Sequence, residues 1–156
     1  MIAGGTAGCQ RLFDEFRARE ISQLAPDYAS TRLSIDVYCL QHPDRYCVSA
    51  KSLAAHLTGL ALAIDRHPPL ASPTDPSDAE NGLRSLQQWL DGRAHVVKPV
   101  LPQDRGSVTV ADIAAAEDTA TYLKALDGWA RATWAAYSEL HATARAWVRV
   151  ALETRR

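Results

Sequence analysis

The spacing of apolar residues along the chain follows the α-helical repeat over most of its length. Apolar side chains recur three and four positions apart, which places them on one face of a helix. In the third predicted helix, Leu53, Leu57, Leu60 and Ile64 share such a face with His56. Proline and glycine residues separate the periodic stretches because they interrupt or end helices. The predicted helices cover about residues 8–24, 27–41, 50–66, 77–90 and 118–153.

These elements predict an all-α fold, a helical bundle of about four main helices plus one short helix. Six of the eight prolines lie between Pro68 and Pro102, so a proline-rich connection around the short helix interrupts the middle of the bundle. A chain of 156 residues fits one domain and is short for two, which predicts a single helical domain over residues 1–156.

The region before the last helix contains a capping signal. Thr109 and Asp112 have the spacing of a capping box, which predicts a short helical turn through Ala116. The preceding Val108 fits an extended segment as well as the lead-in to a helix. The last helix is predicted to be long, and Gly128 is the position where it could bend.

Charge and cysteine content narrow the classes of function. The formal net charge is -1, from 17 Lys plus Arg against 18 Asp plus Glu, so the basic excess typical of nucleic-acid binders is absent. No apolar run approaches the length of a membrane span. Three cysteines make no paired disulfide framework, and the first nine residues lack the features of a signal peptide. The sequence therefore predicts a cytoplasmic protein with no nucleic-acid or membrane partner.

Asp36 is the first residue that packing does not explain. It lies in the apolar stripe of the second predicted helix, three residues after Leu33 and four before Leu40. A buried carboxylate must be paired, neutral or metal-bound, because a bare buried charge costs several kcal/mol or more. A structural pair with a backbone N–H, an arginine or a tyrosine would also satisfy it.

Three histidines also lie at positions that apolar packing alone does not explain. His56 and His141 lie on the apolar faces of two separate helices, and His42 precedes Pro43 at the exit of the second helix. A lone histidine in such a place is usually a hydrogen-bonded core residue. Two histidines on facing helices of a bundle also fit a metal site.

Cys9 lies on the apolar face of the first predicted helix, in its first turn. A helix N-terminus favours the thiolate, which is a zinc ligand and a nucleophile, although a free cysteine is also a common buried apolar residue. Cys9, His42, His56 and His141 make a plausible tetrahedral zinc set. The chain contains no C-x-x-C or H-E-x-x-H motif, so the spacing alone does not establish this set.

Several of these residues belong to segments that resemble the bacterial proteins grouped as domain of unknown function 5946. The resemblance spans most of the chain, and its most specific elements in combination are Gln41-His42-Pro43 and the late tryptophan and histidine pattern. It implies a small helical protein with a recurring set of Cys, Asp and His, and no known activity. The other matching segments are Gly8-Cys9 to Arg19-Glu20, Leu33 to Tyr38, Ser52 to Leu57, Val108 to Asp112, and Trp129 to Trp147.

Two hypotheses of different classes follow. In the first, the protein is a metal-dependent enzyme for a small molecule, a hydrolase or thiol transferase. His56, His141 and either His42 or Cys9 would hold zinc, and Asp36, the predicted catalytic residue, would orient a histidine ligand. In the second, a closed zinc site or a polar core stabilises a non-catalytic interaction or regulatory module, and the last helix could mediate a homodimer.

Overall fold

The fold is described by a computed structural model over residues 7–24, 28–66, 76–92 and 96–153. These residues form helices and no strand, which confirms the all-α prediction. None of these helices is both long and apolar enough to cross a membrane. In chain order they are α1 (Ala7–Arg19), α2 (Tyr28–Gln41), α3 (Pro43–Tyr46), α4 (Ala50–Arg66), α5 (Pro76–Asp91), α6 (Val110–Ala114), α7 (Thr119–Ala136) and α8 (His141–Glu153).

Helix α2 lies at the centre of the packing. It contacts α4 and α7 most extensively, and α4 in turn packs against α5 and α8. Val37 and Leu40 of α2, Leu57 of α4 and Trp129 of α7 are completely buried in the main core. Burial of large apolar side chains is the main favourable contribution to folding, and a tryptophan removes the most area from water.

The predicted long C-terminal helix is two helices, so that prediction is wrong. Helix α7 ends before Tyr137, a 3₁₀ turn covers Ser138–Leu140, and α8 follows. The Tyr137 hydroxyl donates a hydrogen bond to the backbone carbonyl of Leu40, which fixes the break against α2. Gly128 lies inside α7 rather than at the break. Six of the described helices therefore have 13 residues or more, where about four main helices were expected.

The first predicted helix is also divided. Its α-helical part ends at Arg19, and residues Glu20–Leu24 form one π-helical turn. Glu20 is fully buried there, where its carboxylate accepts hydrogen bonds from Ser34 (3.0 Å), Tyr122 and Arg17. Burial raises the pKa of Glu20 even though these donors oppose the shift. The π turn therefore places the side chain of Glu20 inside the protein, where other side chains donate hydrogen bonds to it.

The short helix α6 begins with the capping box that the sequence predicted. Asp112 Oδ2 accepts a hydrogen bond from the backbone N–H of Thr109 across 2.8 Å. Val108 lies outside any helix or strand, and the N-cap residue Thr109 that follows it has extended backbone. Helix α6 is one short turn, and its side chain Ile113 is completely buried.

Candidate functional site

Asp36 lies on the inner face of α2 with only 1% of its side chain exposed. Its Oδ1 atom accepts a hydrogen bond from Nε of Arg32 (3.0 Å) on the same helix. The same oxygen lies 2.8 Å from Nδ1 of His56 on α4. The carboxylate of Asp36, which needed a partner because it lies in an apolar stripe, is therefore paired with two basic side chains. One lies on α2 and the other on α4.

The second carboxylate oxygen of Asp36 has a different environment. Oδ2 is buried and has no hydrogen-bond partner among the described residues. It faces Gly59 in the middle of α4, where an added Cβ would lie 2.9 Å from Cγ of Asp36 and closer still to Oδ2. Glycine weakens a helix interior, so its presence here fits the close approach of the carboxylate.

His56 is held in its charged form by its neighbours. Burial by itself lowers the pKa of this imidazole, but hydrogen bonds to Asp36 and Cys39 and the charges of these groups outweigh burial and raise the pKa to about 9. At pH 7 the ring is therefore an imidazolium that donates from Nδ1 to Asp36. Its side chain is 18% exposed, so it is more accessible than the carboxylate of Asp36.

Cys39 is the residue that the sequence analysis missed. It follows Asp36 by three positions on α2 and shares its face, and it is one of the groups that raise the pKa of His56. It is 6% exposed, and its backbone carbonyl accepts a hydrogen bond from Sγ of Cys47 (3.6 Å). The i, i+3 spacing from Asp36 was the signal that could have identified it. Asp36, His56 and Cys39 are called the α2–α4 cluster below.

His42 lies elsewhere, in the turn between α2 and α3, as the N-cap residue of α3. It is 4% exposed and its ring centroid is 4.4 Å from that of Tyr38. Burial lowers the pKa of His42, with a further contribution from the charge of Arg45, so the ring is neutral at pH 7. Its Nδ1 atom has no partner among the described residues.

Cys9 lies in the first turn of α1 and is partly buried. Its charge is one of the influences that raise the pKa of Tyr38, after burial and Tyr46. Tyr38 also contacts the ring of His42, so both of these predicted ligands act on the same tyrosine, one through its charge and one by ring contact.

His141 begins α8 and has its own partners. Its ring stacks on Trp134 with centroids 3.7 Å apart and planes 7° from parallel. Its Nε2 atom donates to the backbone carbonyl of Trp134 across 2.6 Å. The break between α7 and α8 brings the ring back over the preceding turn, so His141 stabilises the junction between the two helices.

The three predicted histidine ligands therefore have different partners: Tyr38 for His42, Asp36 for His56 and Trp134 for His141. Among the described residues, no three His, Cys, Asp or Glu side chains lie close enough together to hold a metal ion. The expected pairing of Asp36 with a histidine is present, and its partner is His56. Zinc binding itself stays a prediction, and the α2–α4 cluster is the group of reactive side chains that the packing brings together.

Comparison with known proteins identifies a family and no activity. The model of a family of unknown function, DUF5946, matches residues 2–138. No curated protein and no solved structure matches the chain. The matched range includes the whole α2–α4 cluster and ends before His141, so the functional argument depends on the geometry of the cluster.

Proposed function

We propose that this chain, which belongs to the DUF5946 family of unknown function, is an enzyme that acts on a small molecule through Asp36, His56 and Cys39. The reaction class is acyl transfer or hydrolysis through a cysteine nucleophile. The observation that carries the proposal is that His56 contacts a buried carboxylate at 2.8 Å, while Cys39, three positions after Asp36 on α2, is among the groups that raise the pKa of His56.

The proposal follows from the chemistry of a carboxylate, an imidazole and a thiol in sequence. Asp36 accepts a hydrogen bond from Nδ1–H of His56, which orients the ring and favours its charged form. An imidazolium beside a thiol favours the thiolate, and the thiolate is the reactive form of cysteine. The low exposure of Cys39 restricts the reaction to substrates that are small or that approach from the more exposed His56.

The reaction would take two steps. In the first, Sγ of Cys39 forms a bond to the acyl carbon of a small ester or thioester, the bond to the leaving group breaks, and His56 gives its proton to that group. In the second, water or a thiol gives a proton back to His56 and attacks the same carbon, and the bond to Sγ breaks. The enzyme returns to its starting state with an imidazolium and a thiolate.

Site-resolved alkylation tests this proposal. Iodoacetamide would be added between pH 6 and 8, and modification of each cysteine would be followed by peptide mass spectrometry. We expect alkylation of Cys39 to slow by about tenfold or more in His56→Gln, because the neutral amide no longer favours the thiolate. Alkylation of Cys39 at the same rate with and without His56 would refute the cysteine nucleophile.

Cys47 supplies an internal control in the same experiment. It is completely buried, and burial together with the charge of Asp36 raises its pKa to about 12. We expect Cys47 to remain unmodified in folded protein at every pH in the range. Its modification would report unfolding, so a loss of structure in His56→Gln is distinguished from a loss of thiolate.

Zinc binding at His56 is a second candidate. The observation that favours it is the carboxylate on Nδ1, since histidine ligands of zinc commonly donate their other ring nitrogen to such a group. Elemental analysis of protein purified without added metal would then find about one zinc per chain. The zinc would be lost in His56→Ala and, under the predicted ligand set, in His141→Ala.

The absence of metal after reconstitution would eliminate the zinc candidate. If Cys39 alkylation were also independent of His56, the α2–α4 cluster would be a polar core of a non-catalytic module. The low exposure of Asp36 and its pairing with both Arg32 and His56 fit that alternative, because a purely structural charge needs the same satisfaction.

A further inference from the structure

A small cavity adjoins the α2–α4 cluster, between α2, α4 and α5. Arg32 and Asp36 contribute its polar groups, and Leu33, Leu62 and Leu83 form much of the remaining wall. Its volume is about 20 Å³, which is room for one water molecule or for the polar end of a small organic molecule. The cavity is partly open to solvent, so a longer molecule can extend outward from it.

The carboxylate of Asp36 forms part of the wall of this cavity. Oδ2 is buried, makes no hydrogen bond to the described residues, and faces Gly59, which also lines the cavity. A buried acceptor without a donor is unfavourable, whereas Oδ1 of the same carboxylate has two donors. A bound molecule that donates one hydrogen bond would satisfy Oδ2 of Asp36.

Local charge decides which kind of donor fits. Asp36 contributes one negative charge, while Arg32 and the protonated His56 contribute two positive charges. A cationic donor such as an ammonium would add a third positive charge in a poorly solvated place, which is unfavourable. A neutral donor satisfies the oxygen at no such cost, and the leucine walls favour an apolar remainder.

We propose that this cavity binds a small neutral alcohol, whose hydroxyl donates a hydrogen bond to Oδ2 of Asp36 and whose short apolar chain lies among the leucines. The cavity and the carboxylate support this binding site independently of the proposed function. Its role rests on the proposed function: an alcohol held beside the α2–α4 cluster is the alcohol portion, or the product, of a small ester that Cys39 cleaves. The substrate class is then an ester of a short-chain alcohol.

The test compares two probes of nearly equal size. Isotope-labelled protein at pH 7 would be titrated with 1-propanol and, separately, with propylammonium chloride, and amide chemical shifts would be recorded. We expect 1-propanol to cause saturable shifts centred on Asp36, Gly59 and Leu83. Propylammonium should bind about tenfold or more weakly. The absence of a saturable shift with 1-propanol, or equal or tighter binding of propylammonium, would overturn the inference.

A matched pair of variants locates the site. Leu83→Phe adds volume at the cavity wall, while Arg84→Phe adds the same side chain at the next, exposed position of α5. We expect the first to abolish the saturable shifts and the second to leave them unchanged. Ala63→Val, which also narrows the cavity, serves if Leu83→Phe fails to fold. Persistence of the shifts in a folded cavity-filling variant would overturn the site.

The alkylation experiment separates the two proposals. If the alkylation rate of Cys39 depends on His56 but 1-propanol does not bind, the cavity inference fails and the cysteine chemistry remains supported. If 1-propanol binds but the alkylation rate of Cys39 does not depend on His56, the proposed function fails and the alcohol site remains.

Discussion

The indole Nε1 of Trp129 donates a hydrogen bond to Oε1 of Gln41 across 2.9 Å, which joins α7 to the end of α2. The amide nitrogen of Gln41 donates in turn to the backbone carbonyls of Arg105 (3.2 Å) and Val108 (2.6 Å). One buried side chain thus holds a helix and a loop against α2, a few residues beyond the α2–α4 cluster.

Replacement of Gln41 by leucine should therefore destabilise the protein strongly. Gln41→Leu keeps the apolar bulk but leaves the buried Trp129 N–H without an acceptor and removes the donor to two carbonyls. Unsatisfied buried groups cost about 1–3 kcal/mol each, so we predict a loss of about 3 kcal/mol in the free energy of unfolding. Urea denaturation followed by tryptophan fluorescence measures it.

Gln87→Leu is the matched control. Gln87 is exposed on α5 and bonds only to Asp91 on the same helix, so the same substitution should change the free energy of unfolding by less than about 0.5 kcal/mol. Equal effects of the two variants would mean that the hydrogen bonds of Gln41 contribute nothing beyond ordinary side-chain replacement.

Two glycines in helix interiors should respond to alanine in opposite directions. Gly128 is exposed on α7 with no atom within 4 Å of an added Cβ, so Gly128→Ala should stabilise by about 0.5–1 kcal/mol through helix propensity. Gly59→Ala should destabilise by about 2 kcal/mol, because its Cβ would displace the carboxylate of Asp36 from His56. Thermal unfolding of both variants checks this, and stabilisation by Gly59→Ala would show that the carboxylate moves freely.

The raised pKa of His56 predicts how stability depends on pH. The folded-state pKa of about 9 exceeds the ordinary value of 6.5, so the folded protein holds this proton more tightly than the unfolded chain. The stabilisation is fully present below pH 6.5 and is lost as pH rises through 9. The difference between the two values corresponds to about 3 kcal/mol.

The difference between wild type and His56→Gln isolates this contribution from other titrating groups. Urea denaturation of both proteins at pH 6, 7, 8 and 9 should show the advantage of the wild type shrinking steadily toward high pH. A difference that stays constant across the range would mean that His56 does not titrate with a raised pKa in the folded state.

Helices whose positions depend on nearby residues were predicted well. Apolar periodicity located α4, and the capping box located the start of α6. The division of α7 from α8 depends on a hydrogen bond from Tyr137 to Leu40, which are 97 positions apart, so no local pattern could predict it. The short helix that was predicted over about residues 77–90 is α5 (Pro76–Asp91).

The same distinction between local sequence and helix packing applies to the candidate site. A carboxylate in an apolar stripe needs a partner, and that requirement identified Asp36 without knowledge of the fold. Which histidine becomes the partner depends on how α2 packs on α4, so His56, His42 and His141 could not be separated by pattern. Cys39 was overlooked because a buried cysteine usually needs no explanation, although its spacing from Asp36 was visible.

The titration of His56 by NMR tests the central claim most directly, namely that Asp36 holds this imidazole in its charged form. The Cε1–H signal of His56 would be followed from pH 5 to 10 in wild type, Asp36→Asn and the control Asp127→Asn, which removes a carboxylate from a comparable i, i+4 pair with Arg131. We predict a midpoint near pH 9 in wild type and in Asp127→Asn, and a clearly lower midpoint in Asp36→Asn, where Asp36 no longer opposes the effect of burial. A midpoint near 6.5 in wild type, or one near 9 that survives Asp36→Asn, would contradict the claim.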